Sequence, residues 1–448
     1  MNFRQQLLSN LGRHAAFEEH TPGACRIADS PVRLIAFYLP QYHPIPQNDL
    51  WWGKGFTEWT NVTKALPRFV GHYQPHLPGE LGFYDLRLPD TLRRQAELAQ
   101  HYGVAGFCFH YYWFNGQRVL ETPLNNLLAH PDINLPFCIN WANEPWTRTW
   151  DGGEKNMLLE QGHSDKDDIA FALALEPLIR DPRYIRIRDR PLIMLYRPAL
   201  LPDAAATLQR WRAHFTASGL GEPFFVMVQC FGDNDPRRYG FDAAAEFPPH
   251  KSGFGAPNLI SSSRRFAYDY EGRVLSYDHM ARTAMQVDKT DFLLFRGVCP
   301  SWDNEARRPN RAISFVNSTP GKYGEWLAWA CRKVLQSNAP EERIVFINAW
   351  NEWAEGTHLE PDRHFGYAYL KATANALATL TSPAPANIKS VIGTGDTPIF
   401  LLRRVRYACE RAYLALRRPG RSIERFVRFC KPILKSMRAT RSWSVTGK

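Results

Sequence analysis

The sequence predicts an α/β protein, a (β/α)8 or TIM barrel, because of its length, the alternation of its elements and the position of its polar residues. Its 448 residues exceed an ordinary domain of about 100–200 residues but suit a barrel of about 250 residues that carries insertions. Short apolar segments alternate with longer helical patterns, the order of a parallel sheet with crossover helices. Polar and aromatic clusters follow the apolar segments instead of preceding them.

Eight apolar segments are rich in β-branched and aromatic residues, as barrel strands are. They comprise residues 33–39, 104–110, 136–140, 192–196, 224–229, 243–247, 292–298 and 344–349. Eight strands favour a closed barrel. A doubly wound open sheet stays the alternative, because the sixth segment is weak.

Helical patterns lie between the strands, at residues 90–101, 165–176, 203–218, 323–336 and 365–380. Three of these patterns open on an aspartate. We predict Asp90, Asp165 and Asp203 as N-caps, because a carboxylate accepts hydrogen bonds from the free N–H groups of the first turn.

The barrel is predicted to span residues 31–380, after a short extension at 1–30. A linker rich in Pro and Ala at 382–386 leads into a basic, amphipathic helical tail at 386–448. The tail holds 15 Lys and Arg against three Asp and Glu, an excess of 12 that accounts for the net charge of +11. We expect the tail either to contact anionic membrane lipid or to be a solvated face, and we expect the neutral barrel to bind no nucleic acid.

The composition is that of a globular protein, since no apolar run approaches the roughly 20 residues that cross a bilayer. The eight cysteines form no Cys-x-x-Cys pair, and four of them lie in or beside strand-like segments, where reduced core thiols are expected. No apolar signal segment opens the chain. We expect a cytoplasmic protein, and the tail adds the option of peripheral contact with the inner face of the cytoplasmic membrane.

The C-terminal ends of all barrel strands meet on one face, where catalytic groups collect. Residues that follow the predicted strands therefore form one predicted pocket. The residues predicted to bind substrate there are Tyr38, Gln41, Tyr42, His43, Glu58, Trp59, His110, Tyr111, Tyr112, Trp141, Asn143, Glu144, Tyr196, Gln229, Glu246, Trp302, Asp303, Asn351 and Trp353. Because sugars stack their C–H faces on aromatic rings and bond their hydroxyls to amides, imidazoles and carboxylates, this rim predicts a carbohydrate substrate.

Glu352 and Glu355 are the predicted catalytic residues. They lie three residues apart directly after the eighth strand, so that in a helical turn both carboxylates face one side. Chemistry at a glycosidic bond needs two carboxyl groups, and like charges this close push their pKa values apart. An ordinary surface turn is the alternative. Glu144 is the competing catalytic candidate, although we favour binding or structural roles for it and for Glu58 and Glu246.

No metal site and no cofactor are predicted. His43, His72, His76 and His110 lie near the same rim, and none of them has the His-x-Glu spacing that places two ligands on one ion. No Gly-x-Gly-x-x-Gly follows a strand, and no phosphate-binding loop of the Gly-x4-Gly-Lys type occurs. A nucleotide-binding half is therefore not expected.

Four long motifs occur in order. They are Ala-Phe-Tyr-Leu-Pro-Gln-Tyr-His at 36–43, Gly-Phe-Thr-Glu-Trp-Thr-Asn at 55–61, Asn-Trp-Ala-Asn-Glu at 140–144 and Ala-Trp-Asn-Glu-Trp-Ala-Glu-Gly at 349–356. Over about residues 33–370 the chain resembles the WbsX-type proteins of bacterial polysaccharide gene clusters, which are related to glycoside hydrolase family 99.

Family 99 enzymes are retaining endo-acting α-mannosidases or mannanases on a (β/α)8 barrel. The resemblance implies that Glu355 is the general acid/base. It also implies that Glu352 deprotonates the sugar's own 2-hydroxyl, whose oxygen attacks the anomeric carbon and forms a 1,2-anhydro sugar. Ala354 stands where the hydrolases often have His, and WbsX-type proteins are widely labelled glycosyltransferases.

Three functions follow as hypotheses. The first is a retaining glycoside hydrolase or transglycosylase that acts on an intermediate of bacterial surface polysaccharide, O-antigen or capsule. The second is a glycosyltransferase of lipopolysaccharide or O-antigen biosynthesis that uses the same pocket. The third is a glycan-binding scaffold in which the glutamates only accept hydrogen bonds. The expected partner is an oligosaccharide or a lipid-linked saccharide.

Overall fold

The computed structural model describes residues 3–8, 10–21, 30–148, 153–260, 266–286 and 290–381, and within them eight parallel strands close into a barrel. The strands are β1 (Arg33–Tyr38), β2 (Val104–Phe114), β3 (Phe137–Trp141), β4 (Arg190–Leu195), β5 (Phe224–Gln229), β6 (Ala243–Glu246), β7 (Leu294–Val298) and β8 (Ile344–Ile347). Each strand pairs with the next along the chain, and β8 pairs with β1. The predicted (β/α)8 barrel and its eight strands are confirmed.

Ten α-helices occur in the described part of the chain. They are α1 (Phe3–Leu8), α2 (Pro46–Trp52), α3 (Glu58–Lys64), α4 (Pro89–His101), α5 (Thr122–Ala129), α6 (Asp165–Arg180), α7 (Ala204–Ala217), α8 (Tyr277–Met285), α9 (Pro320–Ser337) and α10 (Ala368–Thr381). Short 3-10 helices lie at Pro198–Leu200, Pro236–Tyr239, Pro340–Glu342 and Trp353–Glu355. The five predicted helices correspond to α4, α6, α7, α9 and α10.

Two of the three predicted N-caps are wrong. Asp203 does cap α7, since its carboxylate accepts a backbone N–H at 3.0 Å. Ser164 caps α6 in place of Asp165, and α4 begins at Pro89 without a side-chain cap. Because proline lacks the N–H that a cap would satisfy, it takes the first helical position and Asp90 moves into the first turn.

Short strands in the loops after the barrel strands build up the rim. A further two-residue strand, Arg186–Ile187, does not belong to the rim and pairs with the start of β4. The rim strands are Gln117–Val119 on β2, Trp146–Arg148 with Gly153–Leu159 after β3, Arg273–Ser276 with Ile313–Val316 from the loops after β6 and β7, and Asn351–Glu352 with Thr357–His358 after β8.

The barrel strands are buried along nearly their whole length, because helices cover them outside and side chains fill the barrel inside. In β6, Ala243, Ala244 and Ala245 are all fully buried. Alanine favours helices, which is why this strand is weak in the sequence. Small residues fit here because the neighbouring β7 approaches closely: a Cβ at Gly297 would overlap the carbonyl oxygen of Glu246.

Residues 10–21 pack against the segment that precedes α10. The His14 N–H donates to the carbonyl of His364 at 2.8 Å, and the Tyr367 N–H donates to that of Glu18 at 2.8 Å. The predicted tail at 386–448 lies outside the described residues, and the predicted domain bounds stay predictions. Among the described helices, none is long and apolar enough to cross a membrane.

We expect Gly297→Ala to lower the free energy of unfolding by about 1–3 kcal/mol, because the added methyl group would overlap the backbone of β6. Gly321→Ala is the matched control. A Cβ at Gly321, in the first turn of α9, has no atom within 4 Å, so this variant should be unchanged or up to about 1 kcal/mol more stable. Urea denaturation measures both, and equal losses would contradict the close approach of the two strands.

Candidate active site

A cavity of about 490 Å³ opens at the C-terminal ends of the barrel strands, and the segments that follow all eight strands contribute to its lining. It brings together nine of the residues that the sequence predicts for the site. These are Gln41, Glu58, His110, Tyr112, Glu144, Tyr196, Trp302, Glu352 and Glu355. The cavity therefore joins both predicted catalytic carboxylates to part of the predicted aromatic rim.

At one side of the cavity, three carboxylates surround the guanidinium of Arg307. Its Nη2 lies 3.1 Å from Glu352 Oε2 and 3.2 Å from Glu58 Oε2, and its Nη1 lies 3.2 Å from Glu355 Oε1. Nη2 also donates to Gln41 Oε1 at 2.9 Å. Glu355 is the most exposed of the three, with 23% of its side chain accessible against 6% for Glu352 and 1% for Glu58. Glu355 thus has the best access to a bound molecule.

The protonation of this cluster follows from burial and from crowding of like charges. Burial, together with the charges of Glu355 and Glu58, raises the pKa of Glu352 from 4.5 to about 8, although Arg307 opposes the shift. Burial also raises the pKa of Glu355, and Arg307 again opposes it. Because the two carboxyls titrate as a pair, the pair holds a proton at neutral pH. One neutral and one charged carboxyl are what combined acid and base chemistry requires.

Glu352 and Glu355 lie in a tight hairpin, residues 351–358, that follows β8. Its two arms are Asn351–Glu352 and Thr357–His358, and a 3-10 turn at Trp353–Glu355 joins them. Gly356 closes the turn at a φ of 59°, where a Cβ would lie within about 3.0 Å of the Asp303 backbone. This turn presents both carboxylates to the same guanidinium.

Hydrogen bonds attach the 351–358 hairpin to the segment after β1. The Asn351 side chain accepts from the Leu39 N–H at 2.8 Å and donates to the Leu39 carbonyl at 3.0 Å. The Trp353 N–H donates to the Tyr42 hydroxyl at 3.1 Å. Asn351, Trp353 and Tyr42 therefore lie behind the carboxylates and fix their backbone.

The buried carboxylate of Glu360 holds the same hairpin from the other side. It accepts hydrogen bonds from the indole N–H groups of Trp350 and Trp353 at 2.9 and 2.7 Å. It also accepts from the Gln95 amide at 2.6 Å and the Tyr84 hydroxyl at 2.8 Å. Four donors on one carboxylate explain how a charge-bearing side chain can be accommodated in the core.

Aromatic rings form much of the remaining wall. Tyr112 packs edge-to-face on Trp146, with 5.1 Å between the ring centroids, and Tyr196 packs in the same way on Phe247, with 5.5 Å between the centroids. Two polar atoms at the cavity are buried and have no hydrogen-bond partner among the described residues, namely Trp302 Nε1 and Glu352 Oε1. A donor and an acceptor are therefore available to a ligand, beside ring faces that suit the C–H face of a sugar.

The other predicted substrate-binding residues do not line the cavity. These are Tyr38, Tyr42, His43, Trp59, Tyr111, Trp141, Asn143, Gln229, Glu246, Asp303, Asn351 and Trp353. Strand alternation explains one of them, since His110 and Tyr112 face the cavity and Tyr111 between them packs on Phe171 of α6. Glu246 instead pairs with Arg296 at 3.2 Å.

The sequence reasoning missed Arg307, which pairs with both predicted catalytic carboxylates. Arg307 and Arg308 follow the Trp302-Asp303-Asn304 cluster by only a few positions, and a site with two buried carboxylates needs a cation, so that signal was available. It also missed part of the aromatic and imidazole wall, namely Trp52, Phe56, Phe247, His250 and Phe254.

The barrel carries at its rim a cavity with two carboxylates on one hairpin and an aromatic wall. Residues 34–373 match the family described as Glycosyltransferase WbsX, and the chain belongs to this family. The predicted resemblance is thereby confirmed.

Two curated relatives support the assignment. The uncharacterized protein WxcX of Xanthomonas campestris pv. campestris strain ATCC 33913 is 50% identical over 347 residues, which are 78% of this chain and 50% of that protein. WxcX of strain B100 is 49% identical over the same length. The chain spans about half the length of the curated relatives it matches.

Among solved structures, one described as a glycoside hydrolase-like protein aligns with a TM-score of 0.51 at 16% identity, over 82% of this chain and 99% of that one. This likeness concerns the fold alone. The GH99 endo-alpha-mannosidase from Bacteroides thetaiotaomicron aligns with a TM-score of 0.48 at 15% identity, over 77% of this chain and 96% of that one.

We expect Glu352→Gln to raise the free energy of unfolding, and by more at about pH 8 than at about pH 5. Because the pKa of Glu352 is raised to about 8, the folded protein keeps a proton that the unfolded chain releases above pH 4.5. The wild type therefore loses about 1.4 kcal/mol per pH unit from this group as the pH rises between the two values. Glutamine carries no such loss. Urea unfolding of both proteins at the two pH values measures the difference.

Glu97→Gln is the control for this comparison, since Glu97 in α4 is an exposed glutamate that pairs with Arg94 at 3.2 Å. Its effect should be within about 1 kcal/mol at either pH. The stability gained by Glu352→Gln over the wild type should grow from about pH 5 to about pH 8. A gain that is constant, or smaller at about pH 8, would contradict the raised pKa of Glu352.

Proposed function

We propose that the protein is an enzyme of bacterial surface polysaccharide metabolism that breaks or transfers a glycosidic bond with retention of configuration. The observation that carries this proposal is the pair of carboxylates, Glu352 and Glu355, on one hairpin at one side of an aromatic cavity. Glu352 pairs with Nη2 of Arg307, and Glu355 pairs with Nη1. A site that only bound glycan would not require two crowded, buried carboxylates with raised pKa values.

Glu355 is proposed as the general acid/base, because it is the more exposed of the pair. Glu352 and Glu355 share one proton at neutral pH, and the reaction uses the form in which Glu355 carries it and Glu352 is ionised. In the first step Glu355 gives this proton to the leaving oxygen, while Glu352 takes the proton of the sugar's 2-hydroxyl. That oxygen attacks the anomeric carbon, the bond to the leaving group breaks, and a 1,2-anhydro sugar forms. In the second step Glu355 deprotonates the incoming water or sugar hydroxyl, and Glu352 returns the proton to the 2-oxygen.

The Oε1 atom of Glu352 supports its part in this scheme, since it is buried, has no hydrogen-bond partner among the described residues and belongs to a residue that lines the cavity. The charge of Arg307 supports it as well. When Glu352 is ionised to act as a base, the guanidinium at 3.1 Å offsets the buried negative charge.

Transfer to a sugar or lipid-linked acceptor is the second candidate, favoured by the description of the family as a glycosyltransferase. The chemistry at Glu352 and Glu355 is the same, and the incoming hydroxyl differs. Calorimetry with a panel of nucleotide sugars and lipid-linked sugars separates the two. Saturable binding of a donor supports transfer in lipopolysaccharide or O-antigen assembly, and heat with free oligosaccharides alone supports hydrolysis.

We expect Glu355→Gln to lower turnover of mannose-containing oligosaccharides by about 10²–10⁴-fold, because the leaving oxygen loses its proton donor. Mass analysis and anomeric NMR of the products measure rate and stereochemistry together. The same variant should regain most of its rate on an aryl glycoside whose leaving group needs no proton. Glu352→Gln should stay slow on the aryl glycoside, because loss of the Glu352 base impairs attack by the 2-oxygen, whatever the leaving group. Unchanged turnover in Glu355→Gln, or products with inverted anomeric configuration, would contradict the mechanism.

We further propose that the basic tail at 386–448 contacts anionic lipid. The full chain is expected to co-sediment with vesicles of phosphatidylglycerol but not of phosphatidylcholine, and to be released by salt. Replacing Arg403, Arg404, Arg406 and Arg411 together by glutamine should weaken sedimentation. Equal sedimentation of the two proteins would instead indicate a solvated tail.

A further inference from the structure

A second cluster of ionisable side chains lies apart from the cavity. His76 Nδ1 and His358 Nε2 are 2.9 Å apart, and His358 Nε2 is 3.9 Å from Asp362 Oδ2. One ligand atom from each of the three residues lies within 4.8 Å of the other two. All three residues are buried, and none of them lines the cavity.

The contacts around this cluster orient its atoms toward one another. His358 Nδ1 lies 3.0 Å from the Glu360 carbonyl oxygen, so it carries the ring proton and leaves the lone pair on Nε2. Asp362 Oδ1 accepts from the His364 N–H at 2.9 Å, and Oδ2, the oxygen nearer to His358, accepts from the Tyr73 hydroxyl at 3.2 Å. Hydrogen bonds of this kind hold the histidines and carboxylates of metal sites in position.

Two imidazole nitrogens and a carboxylate oxygen therefore converge on one point in the protein interior.

We propose that His76, His358 and Asp362 bind a divalent transition-metal ion, with Zn²⁺ the best match. Two histidines and one carboxylate, with a fourth position for water, form a known zinc ligand set. Bonds of about 2.0–2.2 Å at tetrahedral angles place ligand atoms about 3.3–3.6 Å apart. The observed separations of 2.9 and 3.9 Å lie on either side of that spacing.

The sequence predicted no metal site, because only ligands that are close along the chain can be recognised from their spacing. His76 and His358 are 282 positions apart and come together only through closure of the barrel. A local motif search has no means of finding such a pair.

The ion would connect the 351–358 hairpin to the segment after β1, away from the cavity. His358 lies opposite Asn351 in the hairpin, and its ring stacks on that of Trp353 at 3.7 Å. His76 belongs to the segment after β1, so a shared ion would tie this segment to the hairpin that carries Glu352 and Glu355. The three ligands are positioning residues, since they touch no reacting atom, and the proposal does not rest on the proposed function.

The test uses the full chain, purified without a metal-affinity column and stripped with a chelator. We expect mass spectrometry to find one Zn²⁺ per chain after reconstitution, and the thermal midpoint to rise on Zn²⁺ addition and fall with chelator. Co²⁺ should give the visible absorption of a tetrahedral site, which Zn²⁺ then displaces. Substoichiometric zinc together with an unshifted midpoint would overturn the proposal, and the two imidazoles would then share only a hydrogen bond.

Variants locate the ion. His76→Gln and Asp362→Asn should each abolish the Zn²⁺-dependent shift, whereas His214→Gln should keep it, because His214 pairs with Glu176 at 2.9 Å on the outer helices. His76→Cys keeps a zinc ligand and should add a thiolate-to-cobalt charge-transfer band, which also covers the case in which His76→Gln does not fold. An unchanged cobalt spectrum in both His76 variants would place the ion elsewhere and refute the assignment.

Discussion

The ion cluster around Arg307 is the interaction on which the cavity depends. Glu58 begins α3, Glu352 and Glu355 follow β8, and Arg307 itself follows β7, so one guanidinium connects three separate parts of the rim. Each buried carboxylate costs several kcal/mol to remove from water. Three of them can converge only because a cation lies among them, and because one proton is retained.

A cluster of this kind is useful only if its geometry is fixed, and most of the buried polar contacts near it serve that end. Asn351 bonds to the backbone of Leu39, and Glu360 holds the two indoles that flank the carboxylates. Neither side chain reaches the cavity. Their positions agree with the general requirement that reacting groups be held by a rigid surrounding shell.

The strands could be predicted because each is a short, apolar, β-branched segment, and parallel strands buried on both faces leave that mark in any sequence. The side of the barrel on which each residue falls was predictable only in part. Period-two alternation separates Tyr111 from its neighbours His110 and Tyr112, once the strand is known to continue as far as Phe114. The place of Arg307 beside the Trp302-Asp303-Asn304 cluster was a signal, but its pairing with Glu58 could not be predicted from local pattern, since the two residues lie 249 positions apart. Glu360 escaped notice because a buried carboxylate and a surface one look alike in a sequence.

The cavity lining divides into two parts that differ in their freedom to vary. Arg307 and its carboxylates are bound to one another, and replacing Arg307 would leave the buried carboxylates without their cation, at a cost of about 3–5 kcal/mol. The rings of Trp52, Phe56 and Trp146 belong to the apolar part of the lining, in the segments after β1 and β3. A substitution there changes the shape of the wall without removing a charge. A lineage built on this barrel can thus change the molecule that its cavity accepts while inheriting the charged cluster.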